Sequence, residues 1–162
     1  PLLRPAHGRV VFVSSTSGSL GVPLLGTYSA SKFALEALAD VLRRELSPWQ
    51  IGVSLVIPGG IKTPMIAAQL AEIDADIKKL TGELAPQYEH QYRQHRRLIE
   101  LAESSAVPPE RVANDVLRAL IDTHPKPRYL CGMPSQAART VRRLLPDTLM
   151  DELFDRLPAS KR

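Results

Sequence analysis

A chain with one cysteine, Cys131, has no internal disulfide to staple it, and this usage fits a reducing compartment such as the cytoplasm. Nor does the sequence hold an apolar run near the 18 or more residues of a membrane span, so no span is expected. No stretch combines a basic start, an apolar run and a small-residue cleavage site. Charge of one sign is not in large excess. The formal net charge is +4, too modest and too dispersed to indicate a nucleic-acid partner. Four histidines are present, but His90 and His95 stand five apart rather than four and have no acidic residue in register between them, so a zinc helix is not expected. The run from Arg93 to Arg97 reads as the wet side of an amphipathic helix, and His90 and His95 read as part of a solvated helix face. What remains is a globular composition, 44% apolar and 23% charged over 162 residues, long enough for one domain with a core.

Hydrophobic patterning gives an α/β order. Arg9–Val13 (RVVFV) and Ile51–Ile57 (IGVSLVI) are short, continuously apolar runs of strand formers, as in parallel strands buried on both faces. Between them Thr27 to Leu46 reads as a helix with a buried stripe of Leu35, Leu38, Leu42 and Leu46, ended by Ser47-Pro48. Strand, helix and strand then form one right-handed crossover. A helical insertion follows from about Pro64 to Ser105. Its first half has an apolar face of Ile66, Leu70, Ile73, Ile77 and Leu80 and breaks at Thr81-Gly82. Its second half carries Tyr88, Tyr92, Ile99 and Ala102 on one side. Pro108-Pro109-Glu110 opens another helix, with a rigid first turn and an acid at its positive end, and Val112, Val116, Ala119 and Leu120 as its buried side. Arg128–Cys131 (RYLC) is a third strand, with Cys131 as a small core residue. A last helical region from about Ser135 to Leu157 is interrupted at Pro146. No internal repeat, long linker or second domain is visible.

One stretch carries the chemistry, TYSASKFALEALADVL from Thr27 to Leu42. Tyr28 and Lys32 are four apart and share a helix face. Ser15 lies 13 residues before Tyr28, in a Ser/Gly-rich loop after the first strand, the end of a parallel sheet where ligands are held. A hydroxyl, a phenol and an ammonium meeting there would move a proton to or from a substrate oxygen. A free phenol titrates near 10, and a lysine one turn away can favour its anion. Read singly, Tyr28 is also an aromatic at a helix end and Lys32 a solvated lysine. Pro58-Gly59 is also an ordinary turn, Gly60 a residue that loosens it, and Ser17 a serine that satisfies its own loop. The combination favours the site.

The segments GRVVFVSSTSG, YSASKFALEAL and IPGGIKTPM resemble the C-terminal half of the short-chain dehydrogenase/reductase family. PPERVANDVLRAL, PRYLCG and RRLLPDTLMDELF extend the likeness to the members acting on steroids, retinoids and other lipophilic alcohols. The resemblance implies the C-terminal half of a doubly wound, Rossmann-type parallel sheet, three strands with flanking helices and a helical substrate lid over about 64–105, in a single partial domain, 1–162. It implies reversible hydride transfer between NAD or NADP and a lipophilic secondary alcohol or carbonyl. Ser15, Tyr28 and Lys32 are then catalytic, Ser15 rather than Ser14, Ser17 or Ser19 by the family's spacing. Tyr28, Lys32, Pro58, Gly59, Ile61 and Thr63 would hold the cofactor, Gly59 for close backbone approach. Ser17, Ile66, Leu70, Tyr88 and Tyr92 would line the substrate side. A homo-oligomer, dimer or tetramer, with the Tyr28 helix at its interface, is implied as well.

The family's TGxxxGxG and NNAG stretches are not in this sequence. The expectation is therefore a longer parent protein, and a 162-residue chain that alone neither binds a dinucleotide tightly nor turns over substrate. The competing reading is an inactive truncated fragment or a dimerisation scaffold.

Overall fold

A computed structural model of the chain describes residues 2–156. Three parallel strands, β1 (Arg9–Val13), β2 (Gly52–Pro58) and β3 (Arg128–Cys131), lie side by side in that order. In register, Val11 stands opposite Ser54, and Val56 opposite Tyr129. The helices are α1 (Gly26–Glu45), α2 (Pro64–Lys79), α3 (Ala85–Ser104), α4 (Pro109–Ile121), α5 (Met133–Leu144) and α6 (Asp147–Asp155). This is the α/β arrangement expected of a partial Rossmann-type domain. Leu157, the expected end of the last helical stretch, lies outside the described residues.

Because β2 is the middle strand, its alternate residues fill two cores. Val53, Leu55 and Ile57 meet Ala39 of α1, with Val10, Phe12, Leu42, Leu46 and Leu130 packed around them. Val56 on the other face meets Ala119 of α4, Tyr129 and Cys131, with Val11, Val112 and Val116 alongside. Local chemistry sets the element ends. Pro109 sits in the first turn of α4 with Glu110 beside it. Gly82, at φ 89°, supplies the left-handed turn between α2 and α3. Pro146 stands immediately before the first residue of α6.

Four expectations are corrected. β1 is less buried than a central strand, and Val13 at its end is exposed, because it lies at one edge of the three. Leu38 is 48% exposed and not part of the α1 stripe; the sheet instead takes Glu36 and Ala39. Leu120 is likewise exposed, since Val112, Val116 and Ala119 already cover β2. The basic run of α3 is not simply wet, and His95 is 6% exposed. Arg96 is buried too, held by Asp74 of α2 at 2.8 Å and by Glu100. Hydropathy marks such residues as outward-facing, but partners on a neighbouring helix offset their desolvation.

Candidate active site

The carboxyl ends of β1 and β2 carry two short turns that face one another. After β1 the backbone continues the ladder for one residue, Ser14 N–H donating to the Val56 carbonyl at 2.8 Å. It then closes a single 3-10 turn over Thr16–Gly18. Ser15 caps that turn, its Oγ accepting from the Ser17 amide at 3.2 Å, which fixes the serine at the strand end. Gly18 lets the turn lie on α1. A Cβ there would stand 2.8 Å from Ser14 Oγ, 3.0 Å from the Lys32 carbonyl and 3.1 Å from Glu36 Cγ. Only a glycine fits without displacing one of them. Gly18 carried no role in the sequence reading, since a second Gly in a Ser-rich loop marks a turn and not what it leans on.

Tyr28 stands in the first turn of α1, 42% exposed. Lys32 lies one turn on. Its Nζ donates to the Val13 carbonyl at 3.1 Å and sits 5.6 Å from the Tyr28 ring centre. The structure thus brings ammonium and phenol together and ties the pair to the end of β1, two residues before Ser15. Such a group can hold a substrate oxygen and move one proton.

The second turn, Pro58-Gly59-Gly60-Ile61, follows β2. At Gly59 a Cβ would meet Ser135 Oγ at 3.3 Å, Pro134 Cβ at 3.8 Å and Thr16 Cγ2 at 3.8 Å, so the two turns adjoin. Gly60 is not a loosening residue: its missing side chain is the space into which the Ala102 carbonyl of α3 fits. The end of the second lid helix rests on this turn. Ile61 then pairs in parallel with Val107, through Val107 N–H to the Gly60 carbonyl at 3.0 Å and Lys62 N–H to the Val107 carbonyl at 2.9 Å. The Ile61 amide takes no part in that pairing. Thr63 is exposed at the entry to α2. With Ile61, Pro109, Val112, Val116 and Leu120 it lines an apolar groove of about 480 Å³.

The proposed substrate-side residues are less gathered. Ser17 and Ile66 are buried, Leu70 and Tyr92 half-buried, and Tyr88 exposed. A larger open cavity of about 680 Å³ lies against the loop before α1, lined by Val22, Ser29, Phe33, Arg142, Met150 and Phe154 among others. Ile66, Leu70, Tyr88 and Tyr92 are not on its wall. His95 is a buried polar residue of α3. Burial lowers the imidazole's pKa, and a hydrogen bond to the Pro23 backbone opposes that shift in part. Its Nδ1 is buried without a partner among the described residues. Cys131 is buried below the second turn, where burial and the neighbouring Asp115 push its thiol up to about 12.

The chain is similar to known proteins in sequence and in fold. The family model described as short chain dehydrogenase matches residues 1–74. An NADPH-dependent 3-dehydrocapnine reductase of Ornithobacterium rhinotracheale is 33% identical over 148 residues, 91% of this chain and 50% of that protein. Retinol dehydrogenase 5 of Mus musculus is 32% identical over 95% of this chain and 50% of its own length. A short-chain dehydrogenase from Streptomyces avermitilis superposes with a TM-score of 0.68 at 27% identity, over 96% of this chain and 52% of that one. The chain thus spans about half the length of the curated relatives it matches. Matched in sequence along nearly its whole length and in fold by a solved member, it belongs to the short-chain dehydrogenase/reductase family.

Proposed function

We propose that the full-length protein is an NAD(P)-dependent oxidoreductase acting on a lipophilic secondary alcohol or carbonyl, with Ser15, Tyr28 and Lys32 as its catalytic residues. The observation that carries this reading is the seating of Lys32 between the Val13 carbonyl and the Tyr28 ring. The site also fits a nicotinamide. The Ile61 amide stands outside the Ile61–Val107 pairing, and Lys32, Thr63 and the Pro58-Gly59 turn border the same strand ends. In this reading Lys32 and Tyr28 hold the ribose hydroxyls, the Ile61 amide the carboxamide, and Thr63 further polar atoms of the cofactor. The cofactor, when bound, supplies or accepts the hydride.

The chain's own residues handle the oxygen. Ser15 Oγ donates to the substrate oxygen and fixes its direction. In reduction the Tyr28 hydroxyl gives its proton to that oxygen as negative charge develops on it, and Lys32 stabilises the phenolate left behind. In oxidation the same proton returns from the alcohol to Tyr28. Substrate class is supported by the apolar residues of the lid, Ile66 and Leu70, with Tyr88 and Tyr92, and by the relatives whose names include retinol dehydrogenase. A homo-oligomer is part of the proposal. The exposed apolar side chains Phe33, Leu38 and Val41 on α1 support it, and sedimentation of the full-length protein checks it. A cytoplasmic setting is also part of the reading, supported by one buried free thiol, Cys131. Among the described residues no helix is long and apolar enough to cross a membrane.

The test is Tyr28→Phe in the full-length protein, assayed on ketosteroids, retinals and medium-chain ketones with NADH and NADPH. Turnover should fall by about two powers of ten or more, the scale of general acid–base catalysis, while cofactor affinity changes little. Equal turnover in the variant would remove Tyr28 from the mechanism. No turnover by the wild type with any of the panel would favour the scaffold.

A further inference from the structure

Tyr28, Lys32, Glu36 and Asp40 succeed one another at four-residue spacing and form one row along α1. The upper two belong to the site. The lower two grip one arginine. Arg128 of β3 sends Nε to Glu36 Oε2 at 3.1 Å and Nη2 to Asp40 Oδ2 at 2.9 Å. Arg139 of α5 brings Nη1 to 3.6 Å from the same Glu36 oxygen, and Arg43 holds Asp40 at 2.9 Å. Glu36 is only 8% exposed, on the face where α1 meets the sheet. Its Oε1 is buried with no partner among the described residues. Replacing the whole Glu36–Arg128 pair by apolar side chains would avoid this desolvation, so stability alone is a poor account of a buried ion pair there.

Geometry gives a better one. The Glu36 stem supports the turn that holds Ser15, since Gly18 comes close enough that its absent Cβ would lie 3.1 Å from Glu36 Cγ. The Glu36 carboxylate reaches β3 through Arg128 and α5 through Arg139. The first turns of α5 in turn place Pro134 and Ser135 against Gly59. One side chain therefore touches the helix of Tyr28 and Lys32, the turn of Ser15, and the helix that backs the Pro58-Gly59 turn. We propose that Glu36 is a positioning residue. With Arg128 as its partner, it sets the rotation of α1 about its axis and so the aim of Lys32 and Tyr28 at the strand ends. A misplacement of about 1 Å at a reacting group can cost about a hundredfold in rate, so a small roll of α1 is enough to matter.

The kinetic half of the test rests on the proposed oxidoreductase reading, and the spectroscopic half does not. In full-length protein, Glu36→Gln keeps shape and removes charge. Its kcat should fall about tenfold or more, with cofactor affinity within about twofold by titration. Arg128→Lys keeps the charge but not the two-pronged grip, and should lose less. Independently of turnover, the ¹⁵Nζ resonance of Lys32, assigned with Lys32→Arg, should shift in Glu36→Gln as the bond to Val13 is disturbed. It should stay in place in Asp147→Asn, which breaks the exposed Arg142–Asp147 pair. If Glu36→Gln does not fold, Arg139→Gln removes the longer contact and is read in the same way, with a smaller shift. A wild type without turnover defeats the oxidoreductase reading while the Lys32 resonance still decides the clamp. An unmoved Lys32 resonance, or a loss of kcat that only follows a fall in melting temperature, overturns the proposal.

Discussion

α1 and α3 are both 20-residue helices that bury charged or polar side chains, yet they are held by different forces. α1 lies on the sheet through Ala39, Leu42 and Leu46, in a core that includes Leu55 and Ile57 of the middle strand. α3 packs mainly on α2, where Ile66 and Ile73 are the buried apolar residues. It is fastened further by Arg96 to Asp74 and by the fit of Ala102 over Gly60. The base of the site is thus held by area removed from water, which is non-directional. The lid is held by a few directional contacts that can open one at a time. Elements with few buried apolar contacts open at lower free energy than the core.

The largest effect expected from this contrast is on the base. Leu55→Ala removes a side chain that is 1% exposed in the middle strand and should cost about 2–5 kcal/mol of global stability, read by urea unfolding of the full-length protein. Ile73→Ala should be felt locally. Hydrogen exchange should speed up in α2 and α3 and stay slow in β2. If Ile73→Ala lowers protection in β2 as much as Leu55→Ala does, lid and base are one cooperative unit and the contrast fails.

A smaller effect separates the two glycines of the second turn. Gly60→Ala would drive a Cβ into the Ala102 carbonyl, a backbone atom that moves only if the end of α3 moves. At Gly59 the nearest atom is a serine hydroxyl at 3.3 Å. Overpacking of this kind costs about 1–3 kcal/mol. Gly60→Ala should therefore loosen the lid in hydrogen exchange, and Gly59→Ala should disturb it less. The reverse order would place the lid's seat elsewhere.

Why the sequence revealed the base better than the lid follows from the same contrast. β-branched runs such as RVVFV and GVSLVI have few alternatives to a buried strand, and proline and glycine mark their ends. Tyr28 and Lys32 share a face because helical geometry requires it, whatever surrounds them. Burial in the lid depends on partners distant in sequence. Arg96 is buried because Asp74 faces it from 22 residues away, and no local pattern carries that information. Leu38 shows the converse: its spacing suits a stripe, but α1 meets the sheet with Ala39, Leu42 and Leu46 and buries Glu36 beside them. The clamp was unreadable too, since Arg128 and Glu36 are 92 residues apart.

The smallest effect, and the cleanest separation of the two regions, is expected from acid. Burial lowers the His95 pKa from its ordinary 6.5. The unfolded chain then binds a proton more readily than the folded one as pH falls through that value. The stability that neutral His95 lends the lid is present above about pH 6.5 and is lost as pH falls toward its lower folded value. The base titrates elsewhere. A hydrogen bond from Arg128 leads the causes that hold Asp40 down to about 2, against an ordinary 3.8. Its contribution is present above about pH 4 and is lost only as pH falls toward 2. Between about pH 6.5 and 4 the lid should loosen while the seat of α1 stays intact. Hydrogen exchange at pH 7.5 and 5.5, corrected for intrinsic rates, should show added opening in α3 and none in the lower half of α1. His95→Gln, which carries no titrating ring, should abolish the pH dependence in α3. Opening of α1 together with α3 at pH 5.5, or a pH response in α3 that survives in His95→Gln, would show that His95 does not hold the lid separately from the base.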